Sequence, residues 1–112
     1  MSCLFCRIIA GEIPCKKVYE DENILAFHDI EPQAPVHVLV VPKQHIMDTD
    51  AVDESNSHVI AELFCAIAEI AKQLNLKDGY RVVTNCGKDA QQSVDHLHFH
   101  VLGGRALGWP PG

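Results

Sequence analysis

The stretch His96-Leu97-His98-Phe99-His100-Val101-Leu102 alternates histidine with apolar side chains. In an extended strand side chains repeat with period two, so His96, His98 and His100 share one face while Leu97, Phe99 and Val101 share the other. The pattern predicts a strand over residues 96–102 with one core face and one chemical face. Successive imidazoles on that face would lie about 6 to 7 Å apart, within reach of one small anionic group. Burying three rings merely to fill space would require partners for three donor and three acceptor nitrogens. A metal, a phosphate or a catalytic task is the simpler account.

Working outward, the chain supplies the rest of a sheet. Residues 17–20 and 24–28 are short apolar runs joined by Asp21-Glu22-Asn23, a hairpin signal. A proline-containing loop over 29–35 leads to a β-branched run at 37–42, a candidate central strand. Between residues 53 and 76, Val59, Ile60, Leu63, Ile67, Ile70 and Leu74 recur at helical spacing, with acidic residues at the start and Gly79 beyond the end. Residues 80–85 read as a further strand, separated from the histidine strand by the polar loop 86–95, and Gly103-Gly104 closes the pattern. At the N-terminus, Leu4, Phe5, Ile8 and Ile9 predict a short helix over 3–10 that ends at Gly11. The order helix, three strands, helix, two strands implies an α+β fold: a five-stranded, mainly antiparallel sheet with two helices, expected on one side of it.

Composition narrows the function classes. A chain of 112 residues, 47% hydrophobic and 21% charged, is expected to form a single globular domain over 1–112 whose small size favours dimerisation. No apolar run approaches the ~18 to 20 residues of a membrane span and no signal peptide is evident, so a cytoplasmic protein without a membrane partner is expected. A net charge of −6 opposes attraction to a nucleic-acid polymer but allows a single nucleotide held by local contacts. Five irregularly spaced cysteines argue for reduced thiols or a metal rather than a disulfide framework. There is no internal repeat, and the one compositional break is the tail Trp109-Pro110-Pro111-Gly112.

The alternating histidines, with apolar residues between and after them, resemble the motif of the histidine-triad nucleotide-binding family. Further segments are similar to its Hint branch: Leu25-Ala26-Phe27-His28-Asp29-Ile30, Pro32-Gln33-Ala34-Pro35-Val36-His37, Val41-Pro42-Lys43-Gln44-His45, Gly79-Tyr80-Arg81-Val82-Val83, Gln92-Ser93-Val94, and Leu102-Gly103-Gly104-Arg105 through Trp109-Pro110-Pro111-Gly112. The resemblance covers essentially the whole chain. It implies a homodimer whose two five-stranded sheets join, and hydrolysis of purine nucleoside phosphoramidates such as adenosine 5′-phosphoramidate, with release of AMP and no organic cofactor.

The chemistry suits the residues. A neutral imidazole is a good nucleophile toward phosphorus, and an ordinary histidine pKa near ~6.5 leaves it mostly neutral at pH 7. The resemblance makes His98 the nucleophile of a nucleotidyl-histidine intermediate and His100 a donor to the phosphate oxygens, with His37 supporting them from a neighbouring strand. Related nucleotidyltransferases carry glutamine at the third triad position, so by the same resemblance histidine at position 100 sides with hydrolase over transferase. His37 reads equally as a hydrogen-bonded sheet histidine. By the same resemblance Asp29 accepts from the ribose hydroxyls, Ile30, Phe5 and Phe27 pack on the base, and Asn85, Gln91, Gln92 and Ser93 lie at the phosphate or leaving group. The tail 105–112, and Trp109 in particular, would reach the partner subunit's site. Taken alone, Asp29 also reads as a solvated turn acid and Trp109 as a mobile tail residue. The chain departs from the family at Gln91, where glycine is usual and backbone approach to the phosphate would be restricted, and at Asp95, an acid where an uncharged residue is common.

Cys3-Leu4-Phe5-Cys6 is half of a zinc site. Some bacterial-type family members complete it with two histidines, which correspond here to His45 and His96. Cys3, Cys6, His45 and His96 would make a closed, structural, tetrahedral zinc centre; otherwise the cysteines are small helix residues and His96 is simply hydrogen-bonded. Cys15, Cys65, Cys86, His28 and His58 read as ordinary loop or helix-face residues. Besides the phosphoramidase, a zinc-stabilised nucleotide-binding or protein-interaction module without catalysis is compatible with these residues. A metal-dependent phosphodiesterase lacks the clustered carboxylates it would need.

Overall fold

The structure, a computed structural model, describes residues 3–112. Helix α1 (Leu4–Ile9) is followed by strands β1 (Lys17–Glu20), β2 (Ile24–His28) and β3 (Val36–Pro42), a 3-10 turn at Thr49–Ala51, helix α2 (Ser57–Gln73), and strands β4 (Tyr80–Val83) and β5 (Phe99–Gly103). The strands form one sheet in the order β1-β2-β3-β5-β4, and every neighbouring pair is antiparallel. β3 and β4 therefore run in the same direction, joined through α2, with β5 inserted between them. No helix among the described residues is long and apolar enough to cross a membrane.

Local chemistry sets the boundaries. Asp21 Oδ1 accepts from the backbone N–H groups of Asn23 and Ile24, both at 2.8 Å, which closes the β1–β2 hairpin as its sequence predicts. α2 is shorter than the apolar period suggests. Ahead of its start, Asp53 and Asn56 fold into a turn: Asn56 Oδ1 accepts from Asp53 N–H, and its amide donates to the Ala51 carbonyl. At its end Asn75 takes a left-handed conformation (φ 58°), the Leu76 N–H reaches the Ala71 carbonyl, and the Asn75 N–H reaches that of Lys72. Those two bonds terminate the helix well before Gly79.

The sheet is covered on both faces, which corrects the expectation of helices on one side. Ile24, Ala26, Val38, Val40, Phe99 and Val101 pack with Val59, Leu63, Ala66, Ile67 and Ile70 of α2. The alternate residues Leu25, Phe27, Leu39 and Val41 pack with Cys3 and Phe5 of the α1 segment. β2 and β3 are apolar at consecutive positions because neither of their faces meets water. The histidine strand is also shorter than predicted. Regular pairing begins at Phe99, and His96, Leu97 and His98 continue the alternation outside the ladder, buried nonetheless.

Candidate active site and metal-binding cluster

Leu97, Phe99 and Val101 enter the α2-side core, as the alternation demands, and the histidines take the opposite face. They do not form one row. His98 and His100 stay adjacent, with ring centroids 5.2 Å apart, and His37 on β3 joins them 5.1 Å from His100. The register that pairs Leu39 with His100 and His37 with Leu102 makes His37 and His100 diagonal neighbours on one face. His96 turns away toward α1.

Backbone carbonyls orient the first two rings. His98 Nδ1–H donates to the His96 carbonyl at 2.7 Å, so the His98 Nε2 lone pair is free. Phe5 presses edge-on against His98 with centroids 5.1 Å apart, and Thr84 Oγ1–H donates to the His98 carbonyl at 2.8 Å. The ring is thus held by its backbone, its own nitrogen and an aromatic neighbour. His37 Nε2 lies 2.8 Å from His100 Nδ1 and 3.5 Å from Asp29 Oδ2, and the Gln33 backbone N–H donates to His37 Nδ1. Among the described residues no buried side-chain nitrogen or oxygen lacks a partner.

Burial shifts these rings toward neutrality. It lowers the His100 pKa to about 4, with the nearby His98 and His37 adding repulsion against a proton. It lowers that of His37 too, against an opposing pull from Asp29. His100 and His37 are therefore uncharged at neutral pH, and the site sets the free Nε2 lone pair of His98 beside a ring able to donate.

A separate cluster gathers residues distant in sequence. His96 Nε2–H donates to the Pro42 carbonyl at 2.8 Å, leaving the Nδ1 lone pair directed at three other donors. Those are Cys3 Sγ at 3.4 Å, Cys6 Sγ at 3.6 Å and His45 Nδ1 at 3.1 Å, and Cys6 Sγ is 3.2 Å from His45 Nδ1. Zinc bonds of about 2.3 Å to sulfur and about 2.0 to 2.1 Å to nitrogen place tetrahedral ligands about 3.3 to 3.8 Å apart, close to the observed edges. Two thiols and two imidazoles with all ligand atoms within 4.8 Å of one another can bind a metal ion. Burial raises the Cys6 pKa, with Cys3 adding to the effect, and a divalent cation supplies the charge that offsets such a cost. Asp29, His37 and His100 also converge, but 2.8 Å between the two nitrogens is a hydrogen-bond length, shorter than a metal's ligand edge.

The remaining predicted residues fall as follows. Asp29 follows β2 and accepts from Glu31 N–H through Oδ1, while Ile30 is 95% exposed beside it. Phe5 and Phe27 are buried and meet edge-on, centroids 5.7 Å apart. Asn85 is half-buried just beyond β4, and Ser93 and Gln91 are exposed on the 86–95 loop. Gln92 ties that loop to the segment after β3: its amide donates to the Met47 and Val94 carbonyls and its oxygen accepts from Gly87 N–H. Gln91 has φ 58°, the left-handed region that favours glycine, and its N–H reaches the Lys88 carbonyl. Trp109 is 80% exposed and lies over the Arg81 guanidinium of its own chain at 5.7 Å. Sequence reading missed Thr84, Gln33 and the Pro42 carbonyl. A hydroxyl near the end of the expected strand 80–85 was a weak signal for Thr84, and backbone donors and acceptors have no signature in residue type.

The comparisons agree with this geometry. The family model described as HIT domain matches residues 10–107. The chain is 52% identical over 107 residues to an uncharacterized 13.2 kDa HIT-like protein of Azospirillum brasilense, covering 94% of this chain and 88% of that one. A HIT family hydrolase from Legionella pneumophila superposes with TM-score 0.96 at 46% identity, covering 99% of this chain and all of the other. A histidine triad nucleotide-binding protein from Candida albicans superposes with TM-score 0.83 at 35% identity, over 99% of this chain and 85% of that one. With its triad histidines, its five-stranded antiparallel sheet and a match along nearly all its length, this chain belongs to the histidine triad (HIT) family.

Proposed function

We propose that the protein is a hydrolase of purine nucleoside phosphoramidates, acting on substrates of the adenosine 5′-phosphoramidate type through a nucleotidyl intermediate on His98. The observation that carries the proposal is the orientation of His98, whose Nδ1–H is spent on the His96 carbonyl while Nε2 keeps its lone pair. Family membership and the hydrolase and nucleotide-binding names of related structures support it.

His98 Nε2 attacks the α-phosphorus, the N–P bond forms, and the P–N bond to the leaving amine breaks; the amine takes up a proton from solvent. Water then cleaves the phosphohistidine bond, releasing AMP, the neutral ring and the proton. His100 donates to a phosphate oxygen, and His37 holds His100 in place. Asp29 binds the ribose hydroxyls, Ile30 with Phe5 and Phe27 forms the apolar surround of the base, and Asn85, Gln91, Gln92 and Ser93 border the phosphate and leaving group. Cys3, Cys6, His45 and His96 would hold a zinc ion, which supplies a rigid four-way crosslink and no open coordination position. β4 is a sheet edge, and its pairing with the same strand of a second copy would extend the sheet across a homodimer and bring the tail with Trp109 to the partner's site. A cytoplasmic setting agrees with five free cysteines.

Turnover of adenosine phosphoramidate by the purified protein, falling at least about a thousandfold in His98→Asn, is the expected result. Undiminished turnover in that variant would reject the assignment. A nucleotide-binding or protein-interaction module without catalysis is the second reading, favoured by the left-handed Gln91 in the phosphate-side loop. AMP binding with no turnover by the unaltered protein would select it.

A further inference from the structure

We infer that Gln33, through its backbone N–H, is a positioning residue that fixes the His37–His100 pair in a single tautomer, so that His100 meets the substrate phosphate as a neutral Nε2–H donor. This inference rests on the phosphoramidase reading for its kinetic consequence and on geometry alone for the tautomer.

A peptide N–H donates and never accepts. Because that of Gln33 donates to His37 Nδ1 at 3.0 Å, Nδ1 carries a lone pair and the ring proton sits on Nε2. That proton faces His100 Nδ1 at 2.8 Å, which must accept it, and the proton of His100 is thereby placed on Nε2. The Asp29 carboxylate, 3.5 Å from His37 Nε2, favours the same choice, since it too accepts only from a protonated nitrogen. The opposite polarity would set His37 Nδ1–H against the Gln33 N–H inside a buried site, which disfavours it by roughly tenfold or more. A second proton on either ring meets the same obstacle. His37 would oppose Gln33, and His100 would oppose His37. Residue 33 is itself secured from outside, since Arg105 Nη2–H donates to its carbonyl at 2.9 Å. A directed chain of donors therefore runs from Gln33 to the nitrogen of His100 that the network leaves free, with no dependence on the Gln33 side chain, whose amide only reaches the Glu31 carbonyl. His100 acts as a hydrogen-bond donor to the phosphate and not as an imidazolium acid.

Long-range proton–nitrogen correlation spectra of the uniformly 15N-labelled protein at neutral pH read which ring nitrogen of each histidine carries hydrogen. The unaltered protein and Gln33→Ala are expected to show His37 and His100 both protonated on Nε2. Gln33→Pro, which lacks the N–H, is expected to show a detectable fraction of His37 protonated on Nδ1 beside the Nε2 form that Asp29 and His100 still favour. A His37 proton wholly on Nε2 in that variant would overturn the role of the Gln33 N–H. With adenosine phosphoramidate, Gln33→Ala should keep kcat within about twofold, whereas Gln33→Pro should lose about tenfold or more in kcat with KM little changed. A His37 proton on Nδ1 in the unaltered protein, or a bare His100 Nε2, overturns the inference whatever the turnover. Absence of turnover with the expected spectra overturns the phosphoramidase reading and leaves the tautomer assignment standing. Should Gln33→Pro fail to fold, the spectra of the other two proteins decide.

Discussion

Replacing His100 by glutamine should make the protein measurably less sensitive to acid. Glutamine can still accept from His37 Nε2–H and still offer a donor, but it does not titrate. Burial puts the His100 pKa at about 4 in the folded protein, against the ordinary 6.5 of an exposed ring. Between those values the unfolded chain binds the proton and the folded one does not. The contribution of His100 to stability is therefore fully present above pH 6.5 and is lost as pH falls toward 4. At 1.36 kcal/mol per pH unit the loss between pH 7.5 and 5.0 is about 2 kcal/mol, and about 1 kcal/mol once solvent screening of a partly exposed ring is allowed for. His37 and His96, whose pKa values burial also lowers, contribute alike in both proteins and cancel in the comparison. Urea unfolding of the unaltered protein and of His100→Gln at pH 7.5 and 5.0 measures the difference. Acidification should destabilise the unaltered protein by about 1 to 2 kcal/mol more than the variant. Equal losses in both would refute a buried, neutral His100.

Further outcomes follow from the neighbouring contacts. Metal analysis of protein purified without chelator should find about one zinc per chain, and its removal, or Cys6→Ser, should lower the thermal midpoint while freeing the α1 segment, read by hydrogen exchange; a metal-free protein of unchanged midpoint would contradict the cluster. Thr84→Val deletes the hydroxyl that donates to the His98 carbonyl and should cost about 1 kcal/mol in urea unfolding, with kcat reduced several-fold and KM nearly constant. Gln91→Gly relieves a left-handed residue, a strain of about 1 kcal/mol partly offset by glycine's greater chain entropy, and should leave stability within about 1 kcal/mol of the starting value. A rise in turnover would mark Gln91 as the hindrance to phosphate approach, and unchanged turnover would remove the main support for a non-catalytic module.

Much of this molecule was legible in residue order. The bounds of β1 and β2 follow from apolar runs set around Asp21, and the amphipathic period located α2, because such signals depend on neighbours a few residues away. Its start was placed too early because Asp53 and Asn56 fold into a turn ahead of the helix, and its end too late because Asn75 performs the left-handed stop that Gly79 was expected to serve. The side of the sheet on which α1 lies was misread, since apolar residues at consecutive positions of β2 and β3 demand a cover on each face but do not name it. That three imidazoles share one face of the chain, held there by Leu97, Phe99 and Val101, follows from residue order, since side-chain alternation is a property of extended backbone alone. How the three are divided depends on chain packing. His96 is turned to Cys3, Cys6 and His45 by the Pro42 carbonyl, His98 is oriented by the carbonyl of His96, and His100 is paired with His37. The orientation of an imidazole is set by the hydrogen bond at its other nitrogen, and here those partners are mostly backbone groups brought in by chain packing, which residue type does not record.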